Sequence, residues 1–418
     1  MKRSLLAVLL VVTACGNDAV PGDDDDTPPD PVPGSGPRFY EDVAPIVIEQ
    51  CATCHRDGGA GPFTLVTFED AIAVADLIPS MVANRQMPPF NADNSGDCNT
   101  YTDARWLSDD QIATIVEWAD GDRLEGDPAK APALPALPPG LARVDATAAM
   151  TESYSPAFAR PDDYRCFIVD PGVAADTFLT GFEVRPGSPQ IVHHILLFQL
   201  ADAAAETQVA TLDTQSAGPG YECFGGVGAG ANLLAVWAPG VRASTYPATT
   251  GLAVAGGRKM VLQIHYHEHQ TVVADQTAID LMLESTVPEP SFLYLLAAPD
   301  LYVPPQQEAF VVTNQYMLPN ILPTYNVWGV FPHMHKLGTS LRAEFDHAGQ
   351  PQCLTDVPRW DFNWQQGYFY EDGPKIVGGG DMLRISCTYN TMSMGAPVTW
   401  GEGTDDEMCL AFMYVSQY

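Results

Sequence analysis

Phe331-Pro332-His333-Met334-His335-Lys336-Leu337-Gly338 is the stretch on which the reading of this chain turns. Side chains alternate faces along an extended strand and rise ~3.3 Å per residue. His333 and His335, at i and i+2, therefore fall on one side and both imidazoles can reach one metal. Neutral imidazole suits copper, zinc, iron or nickel, so the pair names no metal by itself. The competing reading is an ordinary solvated strand that happens to carry two histidines.

The neighbourhood decides between these readings. From residue 146 to the end the chain reads as β. Residues 177 to 186 alternate apolar and polar, Gly/Pro turns recur at short spacing, and no convincing helical pattern is found beyond 145. Two all-β sandwiches are the expectation for such a stretch. Within it the histidines cluster. His193 and His194 stand side by side in the apolar run Ile191 to Phe198. Burying an unpartnered imidazole costs on the order of 1 to 3 kcal/mol, so two neighbours in such a run want a ligand. In a regular strand they would face opposite ways, and sharing one ion requires a bulge or different ring nitrogens. Gln263-Ile264-His265-Tyr266-His267-Glu268-His269 follows, then the 331–338 stretch, then Asp406-Glu407-Met408-Cys409.

These four motifs, in this order, resemble the copper type II ascorbate-dependent monooxygenases, the family of dopamine beta-hydroxylase and peptidylglycine alpha-hydroxylating monooxygenase. Asp361-Phe362-Asn363-Trp364-Gln365 and Cys387-Thr388-Tyr389 resemble further family segments. The resemblance implies two jelly-roll-like β domains, 146–286 and 287–418, each holding one copper across a solvent-filled cleft. It implies an electron-storing copper on His193, His194 and His265, and an oxygen-activating copper on His333, His335 and Met408. A soft thioether favours Cu(I), which is the state that meets dioxygen. His267 and His269 match no family ligand and read as surface residues or as supports for the ligands. His347, in a turn-like Asp-His-Ala-Gly, reads as solvated.

The resemblance also implies the disulfides Cys166–Cys223 and Cys387–Cys409, the second bracing Met408. A further family bridge finds no cysteine here, near Thr313. Cys98 and Cys353 are left over; an interdomain bridge is the expectation, with two free thiols or partner contacts as alternatives. The peptide-amidating branch grips a substrate carboxylate through positions that here read Phe331, Leu410 and Phe412. An apolar, aromatic lining with no cation favours a neutral or aromatic small substrate.

Upstream, Val43, Ile46 and Val47 mark a short amphipathic helix running into Cys51-Ala52-Thr53-Cys54-His55. CxxCH is the attachment motif of a c-type haem, with the His as one axial ligand. A thioredoxin-like pair or half a zinc site are the alternatives, disfavoured by the adjacent His55 and by the absence of a second CxxC. Met87, in Arg85-Gln86-Met87-Pro88-Pro89-Phe90, is the candidate sixth ligand, with simple core packing as its alternative; the segment resembles class I cytochromes c. Ser108 with Gln111 forms a capping box, and Ile112, Ile115, Val116 and Ala119 share a helical face. A small all-α cytochrome c-like haem domain is expected over 37–127, with a Pro-rich linker at 128–145.

The N-terminus reads as a targeting segment. Lys2 and Arg3 precede an apolar run, Leu5 to Val12, too short to span a bilayer, and Thr13-Ala14-Cys15 follows. This resembles a bacterial lipoprotein signal: residues 1–14 would be removed, Cys15 acylated, and 15–36, acidic and Pro-rich, left as a spacer. An exported lipoprotein, outer-membrane or periplasm-facing and tethered only by its lipid, is expected. The net charge of -32 argues against nucleic-acid partners.

The combined expectation is a monooxygenase that hydroxylates a C–H bond with dioxygen, using two coppers and a haem c that passes electrons from a periplasmic or extracellular donor. The rival is a non-enzymatic redox or copper-carrying surface lipoprotein.

Overall fold

The computed structural model describes residues 34–418 except 60, 137–138, 158–161, 225, 240, 242, 268–272, 402 and 404. The signal segment, Cys15, most of the acidic spacer and His269 lie outside the described residues.

Three sheets organise the β region. A five-stranded sheet runs in the order Tyr221–Glu222, Asp162–Val169, Met260–His267, Val192–Leu200, Ala231–Trp237. A four-stranded sheet runs Phe310–Met317, Met382–Tyr389, Gly338–His347, Gln350–Val357. Both pack on a ten-stranded sheet that crosses the expected domain boundary, because Glu289–Ser291 pairs in parallel with Thr250–Leu252. The architecture is thus two sandwiches sharing one continuous layer. Each has its own core, one around Leu179, Ile195 and Leu262, the other around Val330, Leu341 and Ile385.

The sequence periodicities account for most of this. Met260–His267 is a nearly continuous apolar run, and it lies centrally in its sheet with seven of eight residues buried. Phe310–Met317 alternates between half-buried and exposed, as an outer strand does. One element departs from expectation: Ala203–Gln215 is a helix within the β region. It buries little beyond Ala205 and Val209, so it carries no apolar stripe to announce it. The Asp202 carboxylate caps it by accepting from the Ala205 N–H at 2.8 Å.

The N-terminal segment is helical. A π-helical turn, Phe39–Val43, leads into Ala44–Gln50, followed by Phe68–Ala73, Ile78–Ala83 and Asp109–Asp120. The Ser108/Gln111 capping box forms, and a second one forms between Thr67 and Asp70. These helices close on an apolar cluster that includes Phe39, Val47, Ile115 and Trp118.

The segment is not self-contained over 37–127. Residues 90–102 leave it as a strap along the C-terminal sandwich, and Phe90, Ala92 and Tyr101 join that sandwich's core. Asp93 N–H bonds to Asp356 O, Thr102 N–H to Phe369 O, and Asn99 to Leu354 O. Cys98–Cys353 locks the strap covalently; this is the interdomain bridge expected, and Cys166–Cys223 and Cys387–Cys409 form as well.

Candidate metal centres

The adjacent histidines of Val192–Leu200 are resolved by a bulge. The register against Met260–His267 shifts between Val192 and His194, so His194 pairs with His265 while His193 is the extra residue. Both rings then turn toward one point. The Nδ1 atoms of His193 and His265 each lie 3.3 Å from Nδ1 of His194. Bonds of about 2 Å to a shared ion, at roughly tetrahedral angles, would leave nitrogens about this far apart. Three neutral Nδ1 atoms cannot satisfy one another with protons alone. The donor set therefore fits a metal that accepts imidazole.

Charge favours the same state. Burial, and then the neighbouring His265, push His193 down to about 3, and His194 and His265 are lowered chiefly by burial. All three stay neutral at ordinary pH, as ligands must. His265 is oriented from behind: its Nε2–H donates to Asp162 Oδ1 at 2.8 Å, and Tyr164 stacks on its ring at 4.2 Å. His267 bonds the same Asp162 oxygen through Nδ1 at 3.0 Å. It shares this carboxylate with His265, and ligand atoms of Asp162, His265 and His267 lie within 4.8 Å of one another. His347 is exposed at the end of its strand, with Nδ1 2.9 Å from Asp381 Oδ1.

The second set forms where Tyr325–His333 ends. His335 sits just beyond the strand, and the two rings stand 5.1 Å apart and nearly perpendicular. His333 Nδ1–H donates to Gln365 Oε1 at 2.6 Å, and His335 Nδ1–H to Asp406 O at 3.0 Å. Each ring keeps Nε2 for another partner. Tyr325–His333 pairs with Leu410–Gln417, with His333 opposite Leu410. His335 and Met408 each lie two residues beyond the end of this ladder. Met408 is buried against Ala297 and Leu410, with Trp400 and Phe412 alongside.

Glu407 joins the two strands of this set. Its carboxylate is fully buried and accepts the N–H groups of Leu337 at 2.6 Å, His335 at 2.9 Å and Met408 at 3.3 Å. Burial pushes its carboxyl up to about 7 against the opposing effect of these bonds. Cys387–Cys409 anchors the next residue, and Tyr389 donates to Met408 O at 2.8 Å.

One phenyl ring stands between the two sets. Phe362 occupies the interval, stacked on His193 with centroids 4.8 Å apart and edge-on to His335 at 6.1 Å. His333 is pushed down to about 3, by burial first and then by His335, with His193 and His265 contributing across the gap. His193 Nε2, against this ring, is buried without a hydrogen-bond partner. Phe331, expected to line the substrate site, instead packs in the interdomain core against Phe369. Leu410 and Phe412 do lie beside Met408.

In the helical segment Cys51 and Cys54 are unpaired, and His55 Nδ1–H donates to Phe63 O at 3.1 Å, leaving Nε2 free. Burial pushes the Cys51 thiol up to about 12, the opposite of an activated redox cysteine. Met87 lines a small cavity with Val82, Phe90 and Leu107; Val82 and Leu107 also belong to the cluster that packs Cys51.

Sequence reasoning missed Asp162, Glu407, Gln365 and Phe362 as supports. Glu407 lies inside the Asp-Glu-Met-Cys motif and the latter two inside Asp361–Gln365, so position relative to the ligands was the available signal. Asp162 carries none.

Two fused sandwiches presenting two convergent sets of neutral donors define a β-sandwich metalloprotein with paired sites. The profile of the copper type II ascorbate-dependent monooxygenase N-terminal domain matches residues 149–273, and that of its C-terminal domain matches residues 292–417. The chain belongs to the copper type II ascorbate-dependent monooxygenase family. Dopamine beta-hydroxylase of Canis lupus familiaris is 27% identical over 248 residues, covering 55% of this chain and 39% of the relative. The DBH-like monooxygenase protein 2 of Mus musculus is 26% identical over 283 residues, covering 62% and 44%. Tyramine beta-hydroxylase of Caenorhabditis briggsae is 24% identical over 250 residues, covering 55% and 40%. The chain thus spans less than half the length of these relatives.

Proposed function

We propose that this protein is a copper-dependent monooxygenase that hydroxylates a C–H bond of a small neutral or aromatic molecule with dioxygen. The observation that carries this is the convergence of three Nδ1 atoms on one point, faced across a single phenyl ring by the His333/His335 pair. In this reading His193, His194 and His265 hold one copper, and His333, His335 and Met408 the other. Copper in such sites supplies one-electron steps and, when reduced, reactivity toward dioxygen.

The chain's own residues do the rest. Asp162 fixes the His265 ring, Gln365 and Asp406 fix His333 and His335, and Glu407 holds the His335 and Met408 backbones together. Leu410 and Phe412 keep the surroundings of Met408 apolar. The hydroxylases among the relatives act, by their names, on dopamine and tyramine, which supports an aromatic substrate class.

The reading extends to the N-terminus. A c-type haem on Cys51 and Cys54, with His55 and Met87 as axial ligands, would make the helical segment a cytochrome c-like electron donor. The free His55 Nε2 and the two unpaired thiols fit such a group. Export as a lipoprotein acylated at Cys15, drawing electrons from a periplasmic or extracellular donor, completes the proposal.

The test is oxygen uptake on full-length protein against phenethylamines, phenols and neutral alkylaromatics, with copper and haem measured on the same sample. Met408→Ala should abolish uptake while three-histidine copper binding persists. Equal copper content with no oxygen uptake on any substrate would favour the electron-transfer or copper-carrier reading instead.

A further inference from the structure

A cleft of about 700 Å³ lies between the helical segment and the C-terminal sandwich. One wall is residues 83–86 with Asn91; the other is Lys336, Gly338 and residues 359–364. Its floor is Phe362, the ring that touches both imidazole sets. The cleft also reaches the His335 loop directly, since the Trp360 indole N–H donates to His335 O at 3.1 Å.

Its composition is out of keeping with the chain. Lys and Arg together number 20 in 418 residues, yet Arg85, Lys336 and Arg359 all line this one cleft. Arg85 is held in place: its backbone is left-handed at φ 51, it bonds Leu107 O at 2.7 Å and Asp109 at 2.5 Å, and it lies 4.1 Å over Trp106. A left-handed arginine backbone costs about 1 kcal/mol, offset here by those contacts. Among the described residues Lys336 and Arg359 form no ion pair; burial and then Arg85 lower Arg359, against the pull of Asp93. Asp361, the acid on the same wall, is turned to its own loop, accepting from the N–H and side-chain amide of Asn363 at 2.9 and 3.0 Å.

We infer that this cleft binds the carboxylate of a small aromatic acid. Lys336 and Arg359 receive the anion, Arg85 being paired with Asp109 at the cleft's edge, and Trp360, Trp364 and Phe362 line the space for the ring. The chain's overall negative charge does not prevent this, because screening reaches only about 8 Å at physiological salt. The assignment deepens the monooxygenase reading by adding an anionic group to the substrate. Binding itself does not depend on the oxygenase reading, which rests on turnover.

The same chemistry is offered by the propionates of a haem attached at Cys51 and Cys54, so the experiment separates the two. Full-length protein of measured copper and haem content is titrated calorimetrically with phenylacetate, phenethylamine and 2-phenylethanol. Phenylacetate should bind at least about tenfold tighter than the other two, and more weakly as salt rises. Arg359→Gln and Lys336→Gln should each lower its affinity about tenfold, the effect of losing one charge-assisted contact, while Arg359→Lys retains most of it. Equal affinity for the three ligands, or indifference to both Gln variants, overturns the proposal. Phenylacetate binding only when haem attachment is blocked by Cys51→Ala/Cys54→Ala would assign the cations to a propionate and overturn the free-acid assignment. Normal phenylacetate binding without oxygen uptake would sink the oxygenase reading alone.

Discussion

Glu407→Gln is the sharpest test of how the second set of ligands is held. In the native chain both carboxylate oxygens accept: Oε1 from Leu337 N–H, Oε2 from His335 N–H and more distantly from Met408 N–H. Glutamine keeps one acceptor and turns an amide NH2 toward the other site, where it meets an N–H. One hydrogen bond is lost and one buried N–H is orphaned, a cost of about 1 to 3 kcal/mol. If that cost falls on the geometry of His335 and Met408, copper affinity at this set drops about 5- to 150-fold. The three-histidine set, built on other strands, is the internal control and should keep its affinity. Competition with a Cu(I) chelator resolves the two sites, and the sulfur contribution to X-ray absorption reports on Met408. Loss of affinity at both sites alike, or a lower melting point with both affinities intact, would refute the reasoning.

Asp162→Asn leaves His265 without its charged partner and should weaken copper binding at the three-histidine set 10- to 100-fold, sparing the other; titration with a copper chelator reads this directly. Phe362→Ala empties the space between the two sets and should lower unfolding stability by about 3 kcal/mol in denaturant melts; an unchanged midpoint would mean the ring is not packed there. Cys98→Ser with Cys353→Ser opens a covalent loop of sequence separation 255. It should cost about 4 kcal/mol, and a loss below about 1 kcal/mol would show that hydrogen bonds alone dock the strap.

The histidines that the fold brings together were legible in the sequence because metal chemistry restricts residue type and spacing. His193 and His194, adjacent in an apolar run, could share an ion only through a bulge or different ring nitrogens, and the register shift supplies the bulge. The supports were less visible. A carboxylate such as Asp162 or Glu407 acts through whichever backbone or ring the fold brings to it, and nothing in local spacing encodes a partner 103 residues away, as with Asp162 and His265. The strap was obscured for a related reason: Phe90 and Tyr101 look like core residues of the helical segment, and only the docked surface shows which core they serve. The helix Ala203–Gln215 was missed because it is nearly stripeless and depends on its cap. Phe331 misled because it shares a strand face with His333, two residues on, yet its ring is taken up by the interdomain core against Phe369.

The parallel pairing of Glu289–Ser291 with Thr250–Leu252 has a mechanical consequence. Tyr414 reaches across it, donating its hydroxyl to Thr250 Oγ1, so the halves are stitched as well as laddered. Swinging one sandwich away from the other would tear a sheet along its length. The strands that carry the two histidine groups belong to sandwiches built on that one shared layer, which opposes any hinge between them.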